Sequence, residues 1–423
     1  MHTTRWGRIL ALCASTFTSA AWGAAASNVD PLADPPTPAF AGQTQAPAPA
    51  QPSRFDVEVL VSGLETPRSL VALPSGEFLV VEGAGRVRVL RPSGEFSEPL
   101  TGLPPMLSVG GRSLHDLVLD ANFTQTRRVY FTYLAPGLGQ QPGAYTADQR
   151  NAALERGEEF QTEKLASAVL REDLSGFDQV TTLRDFWGRR LLSAPDGSLY
   201  VSMMAFDYTF TERRDLAQQG ESLRGKVLRL KSDGTSADGN PFVGMPDMAP
   251  ELFTIGHRDP DGLALHPQTG ELWGIEHGPM GGDEVNLLRA GYNYGWPNVT
   301  YGKNYDGTVI GPSAADGVEQ PRYYWYPSIA ISGLWFYTGD LFPEWQGNLF
   351  LGAMSPTQGK FLVRLVLEGD KVVNEERLLV ERDRRVRAVT QGVDGALYVL
   401  TDSENNAASG RQFPGEVLRL TPR

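Results

Sequence analysis

The feature that most constrains the fold is a short strand-forming motif that recurs six times along the chain. Most copies begin with a glycine-containing turn and continue with alternating apolar and aromatic residues, a pattern typical of β-hairpins. The copies cover residues 75–81, 127–133, 196–202, 269–275, 346–352 and 394–400. Six copies predict an all-β fold, a six-bladed β-propeller in which each blade buries its sheet against its neighbours. We expect the terminal GEVLRLTP segment to pair with an early strand and close the ring.

The copies lie further apart than a minimal four-stranded blade requires, so loops must be inserted between strands. The largest insertion is predicted at residues 137–166, where TADQRNAALERGEEFQTEKLA has a helix-forming composition. Long loops on one face of a propeller commonly build a binding pocket.

The N-terminal part of the chain differs in composition from the rest. Residues 1–26 combine two arginines with an apolar stretch and small residues, which is typical of a secretory signal and too short for a membrane span. Cys13, the only cysteine, lies within this segment, so no disulfide is expected. A lipoprotein anchor at Cys13 is the less favoured alternative because Leu12 precedes it. Residues 27–53, rich in Pro and Ala, predict a flexible linker ahead of a propeller at 54–423, in the periplasm or secreted.

The overall charge limits the class of partner. The formal net charge of −12 argues against a nucleic-acid or anionic-membrane surface and is compatible with a neutral sugar. The G-x-S-x-G and H-E-x-x-H signatures of common hydrolases and zinc proteases are absent from the sequence.

Residues 255–297 carry the richest chemistry. One apolar run ends in His257-Arg258-Asp259-Pro260, a second ends in Glu276-His277-Gly278-Pro279, and Asp283-Glu284 follows. Two strand ends are therefore predicted to deliver polar groups to one place. Backbone carbonyls beside carboxylates form the oxygen-rich environment that Ca²⁺ prefers, and an arginine there can hold an anionic ligand.

These motifs, GHRDPDGL and EHGPMGGDE, resemble segments of the soluble aldose sugar dehydrogenases that use pyrroloquinoline quinone (PQQ), the glucose/sorbosone dehydrogenase family. The similarity extends over about Val57 to Leu420 and includes LVSGLETPRSLVALPSGEFLVVEGAGRVRVL, GKVLRLKSDGT, YYWYPSIAISGLWFYTGDLFPEWQGNLFLGAM and RRVRAVTQGVDGALYVLTD. It implies PQQ- and Ca²⁺-dependent oxidation of an aldose, or a related polyol or aldehyde, to a lactone or acid. The electrons would pass to a quinone, a cytochrome or a dye.

The resemblance also implies roles for individual residues. The carbonyls of Gly278 and Pro279 would hold Ca²⁺, and Glu284 would hold a second, structural Ca²⁺. The predicted cofactor contacts are Arg258, Asp259, His277, Arg385 and Arg387, of which Arg258 is also catalytic because it would stabilise a developing oxyanion. The predicted substrate contacts are Trp325, Tyr326 and Asp283.

Four pocket positions depart from the family pattern. The family's H-F-G-G-R, whose His is the catalytic base, corresponds to Asp185-Phe186-Trp187-Gly188-Arg189, so Asp185 is the predicted base. A pocket Gln corresponds to Gly111, an Asn to Asp259 and a Lys to Met354, for which Lys360 is a candidate replacement. These departures leave two alternatives open: a sugar- or glycan-binding propeller without turnover, and a Ca²⁺-dependent lactonase.

Overall fold

The computed structural model describes residues 34–156, 159–186, 188–206, 211–406 and 411–423. The predicted signal segment, residues 1–26, lies outside this range. The strands in the described part are β1 (Phe55–Leu64), β2 (Pro67–Ala72), β3 (Phe78–Glu82), β4 (Arg86–Leu90), β5 (Leu107–Val109), β6 (Leu114–Leu119), β7 (Arg128–Pro136), β8 (Gly143–Tyr145), β9 (Gln161–Leu170), β10 (Phe177–Arg184), β11 (Arg190–Ser193), β12 (Leu199–Met203), β13 (Lys226–Leu230), β14 (Leu252–Ile255), β15 (Pro260–Leu265), β16 (Leu272–Glu276), β17 (Asp283–Leu288), β18 (Tyr323–Trp325), β19 (Ile331–Phe336), β20 (Leu349–Ala353), β21 (Leu362–Glu368), β22 (Lys371–Leu378), β23 (Val386–Gln391), β24 (Leu397–Thr401), β25 (Glu404–Asn406), β26 (Arg411–Phe413) and β27 (Gly415–Pro422). The helices are α1 (Phe123–Thr126) and α2 (Ala147–Glu155), with 3₁₀ turns at Arg214–Gln218, Pro343–Trp345 and Val380–Arg382.

The sheets form the predicted ring of six blades. The blades, each written from its innermost strand outward, are β2-β3-β4, β6-β7-β9-β10, β11-β12-β13-β14, β15-β16-β17-β18, β19-β20-β21-β22 and β23-β24-β27-β1. The innermost strands contact one another in sequence, and β23 contacts β2 to complete the circle. The ring is closed by antiparallel pairing of β1 with β27, as predicted. Each of the six sequence repeats forms the second strand of its blade. That strand is buried on both faces, and its apolar and aromatic residues suit such burial.

The hydrophobic core lies between the blades. Six large apolar clusters occupy the six interfaces between neighbouring blades. Between the fourth and fifth blades, for example, Trp273 and Ile275 of β16 share a cluster with Leu349, Leu351 and Val363. This arrangement explains how so long a chain forms one ring, since each blade needs only its two neighbours to be buried.

Four innermost strands carry an extra residue near their start. The pairing of β2 with β3, β6 with β7, β15 with β16, and β23 with β24 skips Arg68, His115, Asp261 and Arg387, respectively. Such a β-bulge bends the strand and re-aims a side chain, and bulges are common beside functional sites. The equivalent position in four blades therefore carries a polar or charged residue.

The described part of the predicted linker is packed, contrary to the expectation of a flexible segment. The side chain of Gln43 is fully buried, donates to the carbonyl of Pro321 at 2.8 Å and accepts from the Tyr301 hydroxyl at 3.1 Å. The Tyr324 hydroxyl donates to the Pro36 carbonyl at 2.9 Å. Side chains of the propeller therefore order residues 34–53, a contribution that composition alone does not reveal.

The largest insertion contains the predicted helix. Helix α2 follows Thr146, whose hydroxyl accepts from the Gln149 N–H while the Gln149 side chain accepts from the Thr146 N–H. This reciprocal pair is a capping box, which stabilises the start of a helix. None of the helices in the described ranges is both long and apolar enough to cross a membrane.

Candidate active site

Glu276, at the end of β16, joins the two motifs predicted to meet. Its carboxylate lies 2.9 Å from His257 Nδ1 and accepts from the Arg258 N–H at 2.7 Å and from Asn286 Nδ2 at 3.0 Å. Charge-assisted bonds of this kind are about twice as strong as neutral ones. The segment before β15 is therefore fixed to the end of the neighbouring strand, as the sequence predicted.

The guanidinium of Arg258 lies over the predicted Ca²⁺-binding loop. Its Nη1 donates to the carbonyls of His277 at 3.2 Å and Gly278 at 3.3 Å, and its Nε donates to Glu212 at 2.8 Å. Trp296 also faces it, with the ring centroid 5.5 Å from the guanidinium carbon. Arg258 thus concentrates positive charge beside the carbonyl oxygens of this loop.

Asp283 holds that loop in place. Its carboxylate accepts from the Gly278 N–H at 3.0 Å, the Ser328 hydroxyl at 2.8 Å and the Ala330 N–H at 2.7 Å. The side chain is fully buried, and burial raises its pKa. Asp283 does not suit the predicted role of substrate contact, because every hydrogen bond of its carboxylate is made within the protein and none of its surface is left for a sugar.

The two aromatic residues predicted to contact substrate differ in position. Trp325 lies in the core between two blades and donates its indole N–H to Glu375 at 2.9 Å, which leaves it unavailable to a sugar. Tyr326 is partly exposed and its ring lies against Gly281. A Cβ at Gly281 would come within 2.3 Å of that ring, so only glycine fits there. Of the aromatic pair, Tyr326 keeps an exposed face beside the loop.

A small, partly open cleft beneath the loop is rich in oxygen atoms. Its lining includes Glu276, Glu284, Gly278 and Arg258. Burial and then the charge of Glu276 raise the pKa of Glu284 well above its usual range. Asn286, bonded to both carboxylates through its amide nitrogen, has a buried carbonyl oxygen with no hydrogen-bond partner in the described part of the chain. Carboxylate and carbonyl oxygens of this kind are the ligands that a hard cation such as Ca²⁺ prefers.

Side-chain ligands alone do not define a metal centre here. Within the described ranges, no group of three or more His, Asp or Glu side chains is placed to hold a metal. A Ca²⁺ ion would therefore depend on backbone carbonyls, which is how the sequence predicted Gly278 and Pro279 to act. Both residues are buried, and the Gly278 carbonyl accepts from Arg258.

Arg385 and Arg387 lie at the start of β23, but not by the predicted alternation along a strand, because Arg385 precedes β23 and Arg387 is its bulge residue. Arg387 donates to Asp402 at 2.5 Å. Burial and then the charge of Arg387 lower the pKa of Arg385. The Nε atoms of both arginines are buried and have no hydrogen-bond partner among the described residues. Buried N–H groups that lack acceptors fit a carboxylate ligand, so this part of the site suits PQQ.

The remaining predicted cofactor residues, Asp259 and His277, contact each other and the charged residues Arg189 and Asp261. The Asp259 carboxylate lies 3.4 Å from Arg189 Nε. His277 donates its backbone N–H to the Asp259 carbonyl at 3.0 Å, and its ring Nε2 contacts the carbonyl of Ile331 and lies 3.8 Å from Asp261. The two residues therefore belong to the wall of the site.

Arg190 lies at the centre of the ring and contacts every blade. Its guanidinium bonds Asp261 at 2.9 Å, the Arg68 carbonyl at 3.3 Å, the Ser332 hydroxyl at 3.2 Å and the Arg387 carbonyl at 3.3 Å. Asp116, on the remaining innermost strand, lies 3.9 Å away. This axial arginine was not singled out by the sequence motifs.

No hydrogen bond or ion pair among the described residues joins Asp185 to the other predicted site residues. Its side chain is 75% exposed and its carboxylate pairs with Lys164 at 2.6 Å. A general base must reach the reacting hydroxyl, and a carboxylate engaged on the surface does not. Lys360 is likewise committed, since its ammonium pairs with Glu404 at 2.6 Å.

Other charged residues of the site went unpredicted. They are Arg68, Arg112, Arg189, Arg190, Glu212, Asp261 and Asp402. Arg68 and Asp261 are bulge residues, and their pattern becomes visible only when the six repeats are superposed.

The chain is a six-bladed propeller with a cationic site at the start of its innermost strands. Comparison with known proteins gives the family. The glucose/sorbosone dehydrogenase family profile matches residues 64–410. The chain is 35% identical over 379 residues to the aldose sugar dehydrogenase YliI of Escherichia coli, covering 88% of this chain and 95% of that protein. It is 26% identical to the quinoprotein glucose dehydrogenase B of Acinetobacter calcoaceticus, covering 88% and 92% of the two chains.

Solved structures agree. The crystal structure of the apo-form of the soluble aldose sugar dehydrogenase of E. coli superposes with a TM-score of 0.74 at 34% identity, covering 87% of this chain and 100% of that one. The PQQ-bound aldose sugar dehydrogenase of Streptomyces coelicolor shares the fold at a TM-score of 0.65 and 22% identity, covering 88% and 100%. The chain belongs to the glucose/sorbosone dehydrogenase family and is an oxidoreductase of the sugar dehydrogenase class.

Proposed function

We propose that the protein is a periplasmic or secreted dehydrogenase that oxidises an aldose, or a related polyol or aldehyde, to a lactone or acid with PQQ and Ca²⁺. The observation that carries the proposal is the meeting of Arg258 with the carbonyl of Gly278, and the acceptor-free Nε atoms of Arg385 and Arg387 support it. The names of the E. coli and A. calcoaceticus relatives support both the sugar and the quinone.

The residues divide into groups with separate tasks. Arg385 and Arg387 would hold carboxylates of PQQ, and the carbonyls of Gly278 and Pro279 would hold Ca²⁺, with Glu284 available for a second ion. When bound, PQQ supplies the electrophilic carbonyl that accepts hydride from the sugar carbon. The buried Arg258 contributes a fixed positive charge where negative charge develops, and it needs little reorganisation because Glu212 and two carbonyls already orient it.

The site also offers an aromatic surface to a substrate. Tyr326 offers a partly exposed aromatic face beside the loop, which suits a pyranose ring. The hydroxyl proton must pass to a base in the site, and Asp185, which pairs with Lys164, does not line the cleft beneath the loop.

A reconstitution experiment tests the proposal. PQQ is titrated into apo-protein by tryptophan fluorescence, with Ca²⁺ or with a chelator, and dye reduction is then followed with a panel of aldoses. We expect micromolar or tighter binding only with Ca²⁺, and turnover with at least one sugar. Binding without turnover would instead indicate a sugar-binding propeller. Hydrolysis of a lactone with Ca²⁺ alone would indicate the lactonase.

A further inference from the structure

Residues 34–53 form a strap across the outer edges of two neighbouring blades. At Gln43 the strap lies beside β18, the outermost strand of the fourth blade, and the Gln43 carbonyl accepts the Tyr324 N–H at 2.9 Å. At Ser53 it reaches β22, the outermost strand of the fifth blade, where the Ser53 N–H and hydroxyl donate to Glu376 at 2.6 and 2.7 Å. The strap therefore has two anchors, one on each blade.

The Gln43 anchor is buried and uses both polar atoms of its side chain. The amide nitrogen donates to the Pro321 carbonyl at 2.8 Å. The amide oxygen accepts from the Ala39 N–H at 2.7 Å and from the Tyr301 hydroxyl at 3.1 Å. Buried polar groups that are fully bonded make an arrangement rigid and specific. The anchor therefore fixes the strap with respect to Tyr301.

Two stacked tyrosines extend from this anchor into the fourth blade. The rings of Tyr301 and Tyr324 are buried and stack with centroids 4.0 Å apart and 24° between their planes. The strap bonds both of them, since Gln43 accepts from the Tyr301 hydroxyl and the Pro36 carbonyl accepts from the Tyr324 hydroxyl at 2.9 Å. Tyr324 lies opposite Glu284 in the pairing of β17 with β18. The stack therefore joins the strap to the strand that carries Glu284.

The predicted Ca²⁺-binding loop rests on the backbone at Tyr301. A Cβ at Gly282 would come within 2.6 Å of the Tyr301 carbonyl carbon, so the two backbones meet only because this residue is a glycine. The Met280 N–H also donates to the Lys303 carbonyl at 3.2 Å. Closely packed segments transmit displacements to one another. The position of the loop therefore depends on that of Tyr301.

We propose that the strap positions the predicted Ca²⁺-binding loop through Gln43 and the Tyr301–Tyr324 stack. The proposal rests on the proposed function, because it concerns the Ca²⁺ site assigned there. Gln43 is a positioning residue: both polar atoms of its side chain are bonded within the protein, and it acts on the loop only through the tyrosines.

The test is the Ca²⁺ concentration that gives half-maximal PQQ binding, measured by tryptophan fluorescence at a fixed PQQ concentration. Gln43→Ala is expected to raise this midpoint about 10-fold, the low end of the range for residues that support metal ligands from behind. Tyr301→Phe should raise it by a smaller factor, because the stacked ring is kept and only the hydroxyl is lost.

Ser53→Ala is the matched control, because it weakens the other anchor of the same strap. It removes the hydroxyl that bonds Glu376 at 2.7 Å and Arg364 at 2.7 Å, on the fifth blade. Its melting temperature should fall as that of Gln43→Ala does, whereas its Ca²⁺ midpoint should stay within twofold of wild type. A strap with only a structural role would lower both melting temperatures and move neither midpoint.

A second readout examines the loop in apo-protein, with no ligand present. The Gly282 N–H donates to the Trp325 carbonyl at 2.8 Å, so its hydrogen exchange reports how firmly the loop is held. This amide should exchange faster in Gln43→Ala than in wild type, and at the wild-type rate in Ser53→Ala.

The outcomes separate this inference from the proposed function. If Gln43→Ala and Tyr301→Phe keep the Ca²⁺ midpoint within twofold and the Gly282 amide keeps its exchange rate, the inference is overturned and the proposed function stands. An equal rise of the midpoint in Ser53→Ala would overturn it as well. If wild type binds no PQQ at any Ca²⁺ concentration, the proposed function fails and this inference with it.

Discussion

The axial arginine gives the sharpest prediction about stability. Arg190→Met keeps most of the side-chain volume but removes the group that bonds the innermost strands of the ring. Asp261, 2% exposed, would keep only the bond from Arg189 at 3.2 Å, and Asp116 would lose its nearby cation. Breaking a buried ion pair by removing one partner costs about 3–5 kcal/mol.

That cost can be converted into a melting temperature. A chain of this length has an unfolding entropy of about 0.8 kcal/mol/K, so the variant should melt about 4–6 °C below wild type at pH 7. Differential scanning calorimetry at one fixed scan rate measures the difference. Arg229→Met, which removes a partly exposed pair with Asp196, is the control and should change the melting temperature by less than about 1 °C.

The pH dependence has a definite sign. Burial acts to raise the pKa of Asp261, but the charges of Arg189 and Arg190 outweigh it and hold that pKa well below its usual range. A carboxylate with a depressed folded pKa contributes stability above its unfolded pKa of about 3.9 and loses it as the pH falls further. The gap between wild type and Arg190→Met should therefore be widest near neutrality and narrow below about pH 4. A gap of less than 1 °C at pH 7, or one that widens in acid, would refute this argument.

Three further predictions concern other parts of the chain. Gln43→Ala leaves the Pro321 carbonyl without its buried donor, which costs about 1–3 kcal/mol of stability. The melting temperature should therefore fall by about 1–4 °C. No change would mean that residues 34–53 act as the flexible linker that their composition indicates. Asp185→Asn should change the turnover number in the dye assay by less than about tenfold because its carboxylate lies on the surface, whereas a loss above 100-fold would restore it as the base. Burial and the charge of Glu276 raise the pKa of Glu284, so protons compete with Ca²⁺ for its carboxylate. The rise in melting temperature that Ca²⁺ produces should therefore be larger at pH 8 than at pH 6. Glu284→Gln should abolish that difference between the two pH values.

The fold could be predicted because each blade repeats one local pattern. Alternating apolar residues after a turn fix a strand that is buried on both faces, and six such strands leave few alternatives to a ring. The junction of Arg258 with Gly278 was predictable for a similar reason, since Arg258 lies just before β15 and Gly278 just after β16, at the same end of one hairpin. What composition missed was the packing of residues 34–53, because their hydrogen bonds depend on tyrosines and glutamines brought together from distant parts of the propeller.

The errors at single residues have physical causes. Trp325 and Asp283 were predicted at the substrate from their place in a motif, but a motif does not say which side of a strand faces the core. The predicted base depended on aligning Asp185 with a histidine four positions before an arginine. In the structure the Arg189 N–H donates to the Ser202 carbonyl, and Arg190 is the residue of β11 that lies opposite Ser202 of β12. Two successive arginines therefore meet the same residue of the neighbouring strand. Either arginine can be matched to the family's, and the alignment of Asp185 shifts by one residue between them.

One signal in the sequence points to the site and follows from blade geometry. In three blades a charged residue stands eight positions before the turn glycine of the repeat, and in a fourth it stands nine before. The pairs are Arg68 with Gly76, Arg189 with Gly197, Arg387 with Gly395, and Asp261 with Gly270. An innermost strand starts at the site and runs to the turn at its far end, so a fixed offset from the turn marks the same level in every blade. Three arginines and one aspartate stand at that level, and Arg189 pairs with Asp261 while Arg387 pairs with Asp402, so the spacing in the sequence locates the charged residues that line the site.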